Sequence, residues 1–163
     1  MRGADQGNAE VMKVLLMAGS DVDHRGHRGN ERRATSLYRA AKHGHLDAVR
    51  VLIQTQANAS LIAGGTLSPL GTAAAGGHVE VVRELVQQLG IERCIGIQNG
   101  GMALAYAAGI GSVQIMTILL DAGAKGAAFA MHMAFTNGQQ AAVKLLLGRM
   151  PSSKHFFFRR RVR

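Results

Sequence analysis

Cysteine is nearly absent. Cys94 stands alone in 163 residues, so the chain forms no internal disulfide and no cysteine-based zinc cluster. A reducing, intracellular compartment is the default expectation, cytoplasmic with the nucleus as the alternative. Tryptophan is missing, aromatics make up 4% and proline occurs twice, which excludes a proline-rich linker or a collagen-like chain. Acid is missing from residues 149–163, where Arg149, Lys154, Arg159, Arg160, Arg161 and Arg163 supply two-thirds of the net charge of +9. The excess charge therefore belongs to a basic tail on a mildly basic body. No apolar targeting segment opens the chain, since Arg2-Gly3-Ala4-Asp5-Gln6 is polar. From Cys94 to Leu120 there is no charged residue, a length that could span a bilayer. Gln98, Asn99, Ser112, Gln114, Thr117 and several glycines interrupt it, and its apolar residues are phased, so a membrane span is not expected.

What remains is 47% hydrophobic and 18% charged with 21 glycines, a globular composition whose core must come from Ala, Val, Leu, Ile and Met. The glycines are phased. Gly7, Gly44, Gly77, Gly111 and Gly138 are each followed, four, five, eight and nine residues later, by apolar side chains. Ala48, Val49, Leu52 and Ile53 follow Gly44, and Val81, Val82, Leu85 and Val86 follow Gly77. That spacing is one face of a short helix. Four of the glycines are also preceded, seven residues back, by Leu37, Leu70, Leu104 or Met131 within an alanine-rich block. Each unit therefore predicts helix, tight glycine turn, helix. The pairs are expected near 36–43 with 46–54, 69–76 with 79–88, 103–110 with 113–121 and 130–137 with 140–147. A lone helix is expected near 8–17, without an opening partner. The predicted core includes Val14, Leu15, Leu37, Leu52, Leu70, Leu85, Leu104, Leu119, Val143 and Leu146.

The period of about 33 residues, Thr35-Ser36-Leu37-Tyr38 with Gly44-His45, and Ser68-Pro69-Leu70-Gly71 with Gly77-His78 resemble the ankyrin repeat. Leu119-Leu120-Asp121-Ala122-Gly123-Ala124 resembles the end of such a repeat. The resemblance covers residues 7–148 and implies an all-α, ankyrin-like helix-turn-helix solenoid of four to five repeats with short hairpin loops. Residues 1–148 are expected to form the repeat domain, a half repeat plus four helix pairs, and 149–163 a disordered basic tail. The terminal helices look uncapped, so the array is expected either to continue or to pair at its ends.

Motifs for chemistry are sparse. His24-Arg25-Gly26-His27 and His43-Gly44-His45 have metal-like spacing but no acid or cysteine to complete a site, and four arginines crowd the first. His45 and His78 are expected to tie turns to neighbouring backbone. Gly109-Ile110-Gly111 lacks the lysine and the strand–loop–helix setting of a phosphate loop. Cys94 has no base beside it in sequence. No catalytic, metal or cofactor site and no small-molecule substrate are expected: the chain reads as a non-enzymatic protein-interaction module, a scaffold or adaptor.

The resemblance implies a concave recognition face made of finger tips and first helices. The matching residues are Arg32, Arg33, Arg39, Lys42 and His43, then Leu67, Thr72 and Ala75, then Gln98, Asn99, Tyr106 and Ile110, and last Met133, Thr136 and Asn137. The basic start predicts a partner segment that is acidic or mixed acidic–apolar. The alternative is nucleic-acid or anionic-membrane association through the tail, where Phe156-Phe157-Phe158 precede the arginine run.

Overall fold

The computed structural model of the protein describes residues 2–26, 33–63, 67–95 and 101–149. Among the described residues there are eleven helices: α1 (Arg2–Asp5), α2 (Ala9–Met17), α3 (Ser36–Lys42), α4 (Leu46–Gln54), α5 (Pro69–Ala75), α6 (Val79–Leu89), α7 (Ile91–Ile95), α8 (Met102–Gly109), α9 (Val113–Asp121), α10 (Ala127–Thr136) and α11 (Gln140–Arg149). They stack in two layers. The inner row runs α1, α3, α5, α8, α10 and the outer row α2, α4, α6, α9, α11, each helix packing on the next in its row.

Local chemistry starts and stops these helices. Thr35 and Ser68 accept from the backbone N–H groups of Tyr38 and Gly71, both at 3.2 Å, and Pro69 opens α5 with its fixed φ. Asn8 caps α2 in the same way, accepting from Val11 N–H. Between paired helices the chain reverses through a glycine such as Gly44, whose φ of +73° would strain any residue with a Cβ. Among the described residues, two antiparallel bridges mark the hairpin fingers, Gly26 with Ala34 and Ala63 with Leu67. Between α9 and α10 the link is shorter still. There Gly126 lies against Gly101 so closely that a Cβ on Gly126 would fall 2.6 Å from the Gly101 Cα.

One continuous core lies between the layers. Leu37, Leu70 and Leu104 from the inner row and Leu52, Leu85, Leu119 and Leu146 from the outer row are all fully buried. The inner helices approach through alanine: Ala40, Ala41, Ala73, Ala74, Ala107 and Ala108 have no exposed surface. Ion pairs dress the outer row, with Arg50 between Asp47 and Glu84, and Arg149 on Asp121 at 2.7 Å.

Three expectations need correction. The first unit keeps an opening helix, α1, which packs on both α2 and α3. A helix not anticipated, α7, follows α6 and buries Ile91 and Cys94. Val14 and Leu15, placed in the core by periodicity, are 65% and 46% exposed, because helix period identifies a face but not whether a neighbour covers it. Val143 is only half-buried. No helix among the described residues is long and apolar enough to cross a membrane, and the uncharged stretch after Cys94 is divided between α7, α8 and α9.

Leu70 has no exposed surface and sits between fixed neighbours on both sides. Leu70→Ala leaves a cavity that cannot collapse, and is expected to cost about 2–5 kcal/mol in denaturant titration. A loss below about 0.5 kcal/mol would contradict the packing described.

Candidate functional site

The free edge of the inner row carries the residues expected to meet a partner. Arg33 leads into α3 from the first hairpin, with its N–H donating to the Gly26 carbonyl at 2.9 Å and a φ of +67°. Its side chain is exposed, as are those of Lys42 and His43 at the other end of α3. His43 stands 5.9 Å, ring to ring, from His45. In the second half of the row, Ile110 is 46% exposed at the end of α8, and Tyr106 and Met133 are half-buried. Thr136 and Asn137, at the end of α10, are exposed and turn their polar groups back on the helix: Thr136 Oγ1 donates to the His132 carbonyl and Asn137 Nδ2 to that of Met133. Met133 and Asn137 both border Gly109, which has no side chain to keep them away. Arg32, Gln98 and Asn99 lie outside the described residues, as does the tail beyond Arg149.

Two residues expected on the recognition face are inside the fold instead. Thr72 is 5% exposed and Arg39 is 8% exposed. Arg39 Nη1 donates to both carboxylate oxygens of Asp5, at 3.0 and 3.1 Å. Arg39 is thus paired with an acid inside the fold and does not stand on the exposed face. Asp5 went unrecognised because it lies 34 residues away in sequence and on a helix of one turn. A signal was present: Asp5 stands two residues before Gly7 as Lys42 stands two before Gly44, so repeat register alone sets it at the edge of α3.

The histidines of the Gly-His turns behave as structural groups. His45 Nε2–H donates to the Asp5 carbonyl and His78 Nε2–H to the Lys42 carbonyl, both at 2.9 Å. A carbonyl only accepts, so in each ring the proton is on Nε2. Among the described residues no group of three His, Cys, Asp or Glu is placed to hold a metal. Cys94 is fully buried, and its thiol donates to the Leu85 carbonyl at 3.4 Å. Burial pushes this thiol from an ordinary 9.0 up to about 12, against the opposing pull of Arg93. A thiol so protected is the opposite of an activated nucleophile.

The arrangement thus offers contact surface, cationic near α3 and apolar near α8, and little reactive chemistry. Comparison with known proteins agrees with its architecture. A family model for ankyrin repeats, three copies, matches residues 1–95. Over 148 residues the chain is 30% identical to a protein named E3 ubiquitin-protein ligase XBAT33 from Arabidopsis thaliana. The match takes in 88% of this chain but 27% of that protein, so the chain spans about a quarter of the length of the relative it matches.

Two outcomes follow from the buried groups. Asp5→Ala strips the carboxylate from a largely buried guanidinium. With Asp5 itself 31% exposed, solvent screens part of the effect, and a loss of about 1–3 kcal/mol is expected in thermal or denaturant unfolding. An unchanged midpoint would show that the pair does not hold α1 to α3. For Cys94, the unfolded chain ionises its thiol near 9.0 while the folded chain keeps the proton to about 12. Stability from this group is intact below pH 9 and is lost progressively as pH rises towards 12. Native Cys94 is expected to react with a thiol reagent at least tenfold more slowly than in denaturant, a gap that thiol-labelling kinetics at pH 8 would reveal.

Proposed function

The chain belongs to the ankyrin-repeat family, and from that premise we propose that it is a non-enzymatic recognition module that takes a partner protein along the exposed edge of its inner-helix row. Ankyrin repeats are protein–protein interaction modules, and the observation that carries the finer reading is the gradient along this edge. Arg33, Lys42 and His43 stand exposed at the α3 end, and Ile110 is 46% exposed, with Tyr106 and Met133 beside it in the row, at the α8–α10 end. A segment with acidic residues at one end and apolar ones at the other complements both. Arg39 drops out of the contact set, since its charge is already engaged by Asp5.

The relative's name is that of a ubiquitin ligase, and this chain corresponds to about a quarter of it. We infer that this chain supplies recognition and leaves any chemistry to other parts of such a protein. The buried, strongly protonated Cys94 suits that division of labour, because a thioester-forming cysteine has to be reachable and readily ionised.

The reading is tested by charge. Arg33→Glu with Lys42→Glu is expected to weaken a partner captured by the full chain at least tenfold, with the contact also fading as salt rises. Deletion of residues 150–163 is expected to leave it within about twofold. If the deletion abolishes capture and the double reversal does not, the basic tail is the functional element and binding to nucleic acid or anionic lipid becomes the better reading.

A further inference from the structure

The two rows of helices differ in charge. The outer helices α2, α4, α6 and α9 each carry aspartate or glutamate, whereas the inner helices α3, α5, α8 and α10 carry neither. Carboxylates only accept hydrogen bonds, while arginine, histidine and tyrosine side chains donate them. The inner-row edge therefore has donors in Arg33, His43 and Tyr106 but no carboxylate acceptor on these four helices. It suits a segment with carbonyls to satisfy and few N–H groups.

The row also has a step. Packed helices lie about 8–10 Å apart, and here α3, α5, α8 and α10 follow one another in contact, meeting through fully buried alanines. A segment that offers one side chain to each helix in turn has to repeat at that distance. An extended strand returns a side chain to the same face every second residue, about 7 Å, and falls out of step. An α-helix keeps step only at every seventh residue, about 10.5 Å, and its carbonyls are already used within it. A polyproline II segment returns a side chain every third residue, about 9.3 Å, and its backbone carbonyls are unpaired.

We propose that the inner-row edge takes a proline-rich segment in the polyproline II conformation, acidic at the α3 end, with two large apolar side chains three residues apart at the α8–α10 end. The proposal rests on that edge being the recognition surface. One apolar side chain lies on α8 against Tyr106 and Ile110, the other on α10 against Phe129 and Met133. The members of each pair are four residues apart and so share one side of their helix. Ile110 and Phe129 are each 46% exposed. On α5, between the two ends, Ala75 and Gly76 offer no long side chain, so two steps, or six residues, separate the carboxylates from the first apolar residue. Proline has no N–H to satisfy, which suits a face without carboxylates, and its fixed φ holds the segment in the bound shape beforehand.

The test is a titration of the full chain with fluorescent synthetic peptides, read by anisotropy. The first peptide is proline-rich, with a glutamate pair and leucines six and nine residues away. It is made in both chain directions, and the tighter one is kept. The second has the same composition with the leucines two residues apart. The third has alanine for proline and leucines at seven-residue steps, to suit a helix. The first is expected to bind at least tenfold more tightly than the others, and to lose at least tenfold on Arg33→Glu with Lys42→Glu. Phe129→Ala is expected to weaken it at least fivefold without moving the thermal midpoint. Equal binding of the first and second peptides, tighter binding of the third, or binding of none overturns the proposal, as does a Phe129→Ala chain that binds as the native one does. If the double reversal still weakens the best-bound peptide or the captured partner, the edge remains the recognition surface and only the segment's conformation is wrong. If it moves neither, both readings fall.

Discussion

His45 occupies the space in which a Cβ on Gly7 would stand, and His78 does the same at Gly44. An added Cβ would lie 2.6 Å from His45 Nδ1 and 2.5 Å from His78 Nδ1. Each ring then donates from Nε2 to a carbonyl two residues before the same glycine, that of Asp5 or Lys42. The glycine is doubly constrained. Its positive φ makes the turn, and its missing side chain admits the next repeat's ring. This contact sets how close one turn comes to the next, and with it the spacing of the inner helices, which alanine pairs then allow to close without a gap.

The device changes in the second half of the array, and the character of the exposed edge changes with it. After Gly111 the following residue is Ser112, too short to reach back as the histidines do. The space over Gly77 is approached instead by Ile110, whose Cδ1 would stand 3.6 Å from a Cβ there. Gln139 takes the equivalent place over Gly111. An isoleucine recruited to bridge a turn from the end of α8 remains 46% exposed. The apolar end of the inner-row edge is thus tied to the same packing problem that histidine solves at the other end, where cationic side chains accompany it.

Much of this was legible in the residues. Five glycines in phase, each with apolar residues at fixed offsets, specify helix pairs whose bounds the structure moves by no more than three residues. What periodicity could not supply was the presence or absence of a neighbour. Leu15 and Leu52 have the same register and the same chemistry, yet one is 46% exposed and the other has no exposed surface. Arg39 failed in the opposite sense. A basic residue in a short helix that holds no acid looks like surface, and only the return of α1 to α3 reveals Asp5 beside it. For Cys94 the sequence showed only the lack of a nearby base, whereas the structure adds the burial that holds its proton.

The same Asp5 explains why α1 exists at all. A helix of four residues has almost no stability of its own, since nucleation costs more than one turn of hydrogen bonds returns. Asp5 engages the next repeat twice, through its carboxylate to Arg39 and through its carbonyl to His45. Ala4, 1% exposed, adds a small buried contact to the same junction. The order of the first helix is therefore borrowed from the second repeat, as nearest-neighbour stability in a repeat array requires. Loosening α3 would release α1, and with it one side of the α2 face that Val11 and Leu15 present. The ion pair between Arg39 and Asp5 thereby decides both the order of the first helix and the burial of a cationic side chain in α3.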